Sequence, residues 1–151
     1  MPQRLPLDTL TELARTRTDE AARRLGALQN AQLSASQQLD MLLHYRQDYD
    51  DQLQALMRQG APSATWRNYQ AFLATLDHAI AQQRAIVLQA ATRLDHGRDD
   101  WRHQQRRLNS FDTLVERVRA QDLLVQAKRE QRDSDERATR KFFDRASNPT
   151  F

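Results

Sequence analysis

Apolar side chains return at every seventh position over long stretches of the chain. In the second half, Trp66, Leu73, Ile80, Val87, Leu94, Trp101, Leu108 and Val115 are apolar without exception. The interleaved series Tyr69, Leu76, Gln83, Ala90, Gly97, Gln104, Phe111 and Val118 is apolar at five of its eight positions. Two such series, offset by three or four residues, make the a and d seam of a left-handed coiled coil. Before them, Leu7, Ala14, Ala21, Leu28, Ala35, Leu42, Tyr49 and Leu56 form a third unbroken series. Its companion is looser: Leu10, Leu25, Leu39 and Leu53 drift by one position, as a seam does when it is not strictly heptad. Alanines at 14, 21 and 35 leave room for a close partner helix.

Between the two halves stands the stretch RQGAPSATW. Gly60 can adopt the left-handed conformation that ends a helix, and Pro62 stops propagation. Ser63 or Thr65 can cap the second helix. The pattern predicts an all-α fold, an antiparallel coiled-coil hairpin of two long helices in a single domain. Helix one spans about 5–57, the turn about 58–63, helix two about 64–141, and 142–151 is a disordered tail. At 1.5 Å per residue the helices are roughly 80 and 115 Å long, so helix one is used up opposite residue ~115. The overhang VERVRAQDLLVQAKREQRDSDERATRKFF keeps Val118, Leu123, Leu124 and Val125 and then turns almost wholly charged. It is either a solvated helix end or a helix awaiting another protein.

The turn also relates two apolar stripes. Gln38, Leu42, Tyr45 and Tyr49 are spaced +4, +3, +4, and so are Phe72, Leu76, Ala79 and Gln83. Paired inversely, every couple sums to 121, the register that a hairpin turning near residue 60 imposes. Two helices cannot bury both sides of their seam, so Tyr45, Tyr49 and Phe72 are expected to stay partly exposed. Exposed aromatics in one patch point to a protein contact, while Leu42 and Leu76 read in part as core.

Composition narrows the class. Of the 151 residues, 39% are hydrophobic and 28% charged, with only 3 Gly and 4 Pro; a chain so poor in turns and in apolar mass suits long helices better than a globular core. The net charge is +3. Both signs interleave over residues 93–151, which hold 14 basic and 11 acidic side chains. That is a salt-bridged helix surface and not a phosphate-binding stripe, so no nucleic-acid partner is expected. There is no cysteine, which rules out disulfides and thiol chemistry and is compatible with a reducing cytosol. No apolar run approaches the roughly 20 residues of a membrane span, and MPQRLPLDTL lacks a signal-peptide apolar block.

Catalytic groups are missing from the pattern. There is no Gly-rich phosphate loop. His96 and His103 are seven residues apart on one helix, too far to share a metal without outside ligands. Asp50-Asp51 and Asp99-Asp100 lie on solvated faces. The expectation is a non-enzyme with no cofactor, no metal and no small-molecule substrate.

The segments EAARRLGAL, QLDMLLHYRQDYDDQL, WRNYQAFLATLDHAI and DDWRHQQRRL, in this order and spacing, resemble the FliJ family of flagellar type III export proteins over nearly the whole chain. The Met-Leu-x-x-Tyr-x-x-x-Tyr block, the Gly turn and the Trp-x-x-Tyr-x-x-Phe block carry the resemblance together. It implies a stalk-like antiparallel coiled coil, cytoplasmic and peripheral at the inner-membrane export apparatus. Its terminal end would insert into a hexameric export ATPase and promote ring assembly. Its other end would contact the membrane export gate, and the protein would bind chaperones of late flagellar subunits. By position the resemblance puts the gate contact on Gln38, Leu42, Tyr45, Tyr49, Phe72, Leu76, Ala79 and Gln83. A His of relatives stands as Gln83 here, which excludes a pH-sensitive role there. For the ATPase ring, the overhang reading selects Leu10, Leu13, Leu123, Leu124 and Val125 as apolar contacts, with Arg117 and Arg119 meeting acidic pore residues. The rival readings are a chaperone escort and a self-assembling structural coiled coil.

Overall fold

The structure, a computed structural model, describes residues 4–147, with side chains described from residue 6 onward. The fold is all-α, an antiparallel coiled-coil hairpin. Helix α1 runs Arg4–Gln59 and the longer α2 runs Ser63–Ser147. Helix α2 therefore continues six residues past the expected end at 141. The rest of the expected tail, 148–151, lies outside the described residues.

The turn is tighter than the sequence indicates. Gly60, at φ +78°, ends α1. Its amide donates to the Met57 carbonyl at 3.3 Å, and the Ala61 amide donates to the Leu56 carbonyl at 3.2 Å. These two bonds make a Schellman motif, which satisfies carbonyls that the helix end would otherwise leave open. The start of α2 departs from expectation. The Pro62 carbonyl accepts from the Thr65 and Trp66 amides, so Pro62 is the residue before the first turn and Ser63 already lies within the helix. The fixed φ of proline sets this start, not a hydroxyl of Ser63 or Thr65.

The contacts divide the chain into two units. The first comprises Thr16–Gln105 and contains the turn. Its register follows from residues far apart in sequence. Thr18 Oγ1 donates to the Gln104 carbonyl at 3.1 Å, Arg24 Nη2 to Asp100 Oδ2 at 3.0 Å, and Gln83 Nε2 to the Ala35 carbonyl at 3.0 Å. The seam buries Ala21, Ala35, Leu53, Leu73, Leu76, Ile80 and Leu94. Near the turn, Leu53, Leu73 and Leu76 form a core against which Leu42, Tyr49 and Tyr69 pack. Gly97 sits where Leu28 closes in: a Cβ there would meet Leu28 Cδ1 at 2.5 Å.

The second unit holds the described residues up to Arg15 together with those from Arg106 onward. Thr11 and Ala14 are buried in it, and Leu7 shares a cleft with Val115 and Val118. Arg15 reaches Asp112 at 3.9 Å. Past Asp122, every described residue from Leu123 to Ser147 is exposed.

One expectation about the seam is corrected. The companion series of α1 does not drift through Leu10. It keeps strict heptads through Thr11, Thr18, Leu25, Gln32, Leu39, Arg46 and Leu53, none of which is exposed, while Leu10 is exposed. Thr11 and Thr18 tolerate burial because their hydroxyls donate to backbone carbonyls, Thr11 Oγ1 to Leu7 at 2.8 Å.

Candidate functional site

The two stripes meet within the turn-containing unit. Four rings form one cluster. Tyr49 lies 4.3 Å from Phe72, 5.3 Å from Tyr45 and 5.7 Å from Tyr69 between ring centroids, and Tyr45 lies 6.3 Å from Phe72. These separations are those of favourable tilted and edge contacts. The inverse register places Tyr49 of α1 opposite Phe72 of α2, so both helices supply the cluster. Tyr45 is 50% exposed and Phe72 36%. Tyr49 and Leu42 are half-buried. Charge repulsion from the neighbouring Tyr45, followed by desolvation, pushes the Tyr49 hydroxyl above its ordinary pKa.

The stripes are therefore split, not uniformly presented. Leu76 is buried in the core. Gln83 is buried too, and its amide also donates to Gln38 Oε1 at 3.4 Å. Gln38 is exposed and Ala79 half-buried. So Leu76 and Gln83 act as seam residues that hold their neighbours in place, whereas Tyr45, Phe72 and Gln38 offer surface. A groove of about 370 Å³ opens beside them, lined by Gln38, Met41, Leu42, Tyr45 and Gln83. Met41, 70% exposed, belongs to neither heptad series; the sequence marks it as an apolar residue outside the seam and as the first residue of the Met-Leu-x-x-Tyr-x-x-x-Tyr block. Arg46 fixes the flank of the groove. Its Nε donates to Asp77 Oδ1, and its Nη2 donates to Oδ2 at 3.4 Å. The hydrogen bond and the charge hold Asp77 below the usual carboxylate range and raise Arg46.

The residues selected for a ring contact lie in the other unit. Leu10, Leu13, Leu123, Leu124 and Val125 are exposed large apolar side chains. Arg117 and Arg119 are exposed as well, and Arg119 borders a mixed-charge cleft with Asp8, Glu12, Arg15 and Asp112. The sequence reading missed Phe142 and Phe143. They are 70% and 63% exposed, and their rings meet edge-on at 6.1 Å. Among the described residues no group of three or more His, Cys, Asp or Glu side chains could hold a metal ion. None of the described helices is long and apolar enough to cross a membrane.

Comparison with known proteins matches the sequence of the chain to one family. The family profile described as "Flagellar FliJ protein" matches residues 3–147. The Flagellar FliJ protein of Salmonella typhi is 37% identical over 140 residues, covering 93% of this chain and 95% of that protein. The Flagellar FliJ protein of Escherichia coli (strain K12) is 37% identical over 134 residues, covering 89% of this chain and 91% of that protein.

Proposed function

Because the chain belongs to the FliJ family of flagellar proteins, we propose that it is a non-enzymatic component of the flagellar type III export apparatus, a coiled-coil adaptor between an export ATPase and the export gate. The unit holding the termini enters the hexameric ATPase and favours ring assembly and hydrolysis. The aromatic cluster of the other unit binds the membrane export gate, and the protein also receives chaperones of late flagellar subunits. It works at the cytoplasmic face of the inner membrane.

The observation that carries this reading is the exposed length of α2 beyond Asp122. Helices in proteins gain most of their stability from packing an apolar face, and this segment keeps Leu123, Leu124 and Val125 in solvent. A ring pore would cover them. Arg117 and Arg119 would meet carboxylates there, an arrangement that favours fast, oriented association. At the gate, Tyr45, Phe72 and Met41 are the anchors. They present large apolar area on a rigid helix pair, the type of residue and setting in which binding energy concentrates.

The test is the hydrolysis rate and ring assembly of the cognate export ATPase, alone, with the intact chain, and with a chain ending at Arg117. The intact chain should stimulate both and the shortened chain neither. Equal rates in all three samples would refute the ATPase role.

A further inference from the structure

From Gln121 onward α2 carries a repeat of its own. Gln121, Val125, Lys128, Arg132, Asp135, Thr139, Phe142 and Ala146 are spaced +4, +3, +4, +3, +4, +3, +4. They therefore line one stripe of α2. All eight are exposed. The stripe carries Val125 toward one end and Phe142 and Ala146 toward the other, with Lys128, Arg132 and Asp135 in its middle. A lipid surface is a poor occupant, because three charged side chains interrupt the apolar face that a membrane helix would bury.

The order of residues along the stripe is self-complementary. Turned end for end about the Asp133–Ser134 bond and laid on itself, it sets Val125 against Phe142, Lys128 against Thr139, and Arg132 against Asp135. The twofold repeats each pairing, so two Arg–Asp pairs lie at the centre with a Val–Phe contact on either side. The flanking positions agree. On one edge of the stripe, Arg129 of each copy comes beside Glu136 of the other. A closed twofold dimer needs such a patch, one that matches its own inverse.

We infer that residues 121–146 are a self-association surface, occupied by a second copy of this chain in an antiparallel pair about 37 Å long. Opposite charges at the centre fix the register, and the Val125–Phe142 contacts supply the apolar area. The inference does not depend on the ring reading. Where both hold, ring and second copy compete, because each covers Val125, and self-association keeps the helix out of the pore.

Sedimentation equilibrium of the full chain at low salt tests this. Wild type should show a concentration-dependent monomer–dimer equilibrium that weakens as salt screens the central pairs. Arg132→Asp and Asp135→Arg should each weaken self-association at least about tenfold, since each sets like charges face to face. An equimolar mixture of the two variants should form a one-to-one heterodimer. The double variant R132D/D135R should associate with itself again, and F142A/F143A should not. All the altered side chains are exposed, so the helical circular dichroism spectrum should stay unchanged. Three results would overturn the inference: a wild-type chain that stays monomeric at its highest soluble concentration; a dimer indifferent to both charge changes; or a monomer in which F142A/F143A impairs only ATPase stimulation, which would give the face to the ring.

Discussion

Leu76 and Met41 belong to the same small region and should fail in opposite ways when truncated. Leu76 is 7% exposed and packs with Leu53 and Leu73. Leu76→Ala removes buried methyl groups from a seam only two helices wide. Core truncations of this kind cost ~2–5 kcal/mol, depending on how far the site collapses. A seam open to water on both flanks can close over or hydrate the gap, which puts this one near the lower end, about 2 kcal/mol. For a domain of this size each kcal/mol shifts the midpoint by roughly 2–4 °C, so Tm should fall by about 4–8 °C. Met41→Ala removes a side chain that is 70% exposed, and such surface changes stay within about 0.5 kcal/mol. Its Tm should move by no more than about 2 °C, yet it should weaken capture of the gate protein, because Met41 lines the groove beside Tyr45. Melting curves at 222 nm and titration against the gate's cytoplasmic domain, at a temperature where both variants are folded, read the two effects separately. An unmoved Tm for Leu76→Ala would refute the division into seam and surface. So would equal Tm losses for both variants.

Gly60→Ala places a Cβ at φ +78° and should cost about 1 kcal/mol by straining the Schellman turn, read as a lower Tm. Gly26→Ala should do the reverse. It is inside α1, the added methyl would meet nothing within 4 Å beyond its chain neighbours and the backbone of its own helical turns, and helix propensity favours alanine by up to ~1 kcal/mol. The Arg46–Asp77 pair makes stability depend on pH. A carboxyl whose folded pKa is depressed adds stability that is present above its unfolded pKa and is lost as pH falls through the folded value. Wild type should therefore melt above Asp77→Asn at neutral pH, and the difference should vanish in strong acid; a gap that survives there would assign the effect to something other than ionisation.

Much of this architecture can be read from the chain because its register is written in apolar residues. The unbroken series from Trp66 to Val115 announces α2, and the stripes that sum to 121 do meet, with Tyr49 against Phe72 and Gln38 against Gln83. The parts that escaped are polar. A search by hydrophobicity passes over Thr11, Thr18, Gln32 and Arg46, and takes Leu10 for the seam residue in place of Thr11. Whether a polar side chain can sit there depends on the carbonyl or carboxylate it finds across or along the helices, as Thr18 finds Gln104 and Arg46 finds Asp77. Burial within the stripes was also only half legible. Spacing places Leu76 and Tyr45 on one side of a helix pair, but only the packing makes one core and the other surface. Phe142 and Phe143 escaped for another reason: they stand among charges, just before a Ser-Asn-Pro-Thr end that reads as unstructured.

The fixed register has a consequence for the order in which the turn-containing unit assembles. Each step away from Gly60 joins residues further apart along the chain. The span is 23 residues for Tyr49 and Phe72, 48 for Ala35 and Gln83, and 86 for Thr18 and Gln104. Closing a loop costs about 0.6 kcal/mol more for each doubling of its length, so the remote pairs bear roughly 1 kcal/mol more closure entropy if they form first. They bear almost none of it if the nearer pairs already hold the two arms of the chain together. Assembly should therefore begin at the aromatic cluster and run outward like a zip, and opening should start at the far pairs. Amide exchange would record this as a gradient, slowest around Leu53, Leu73 and Leu76 and faster toward Thr18 and Gln104.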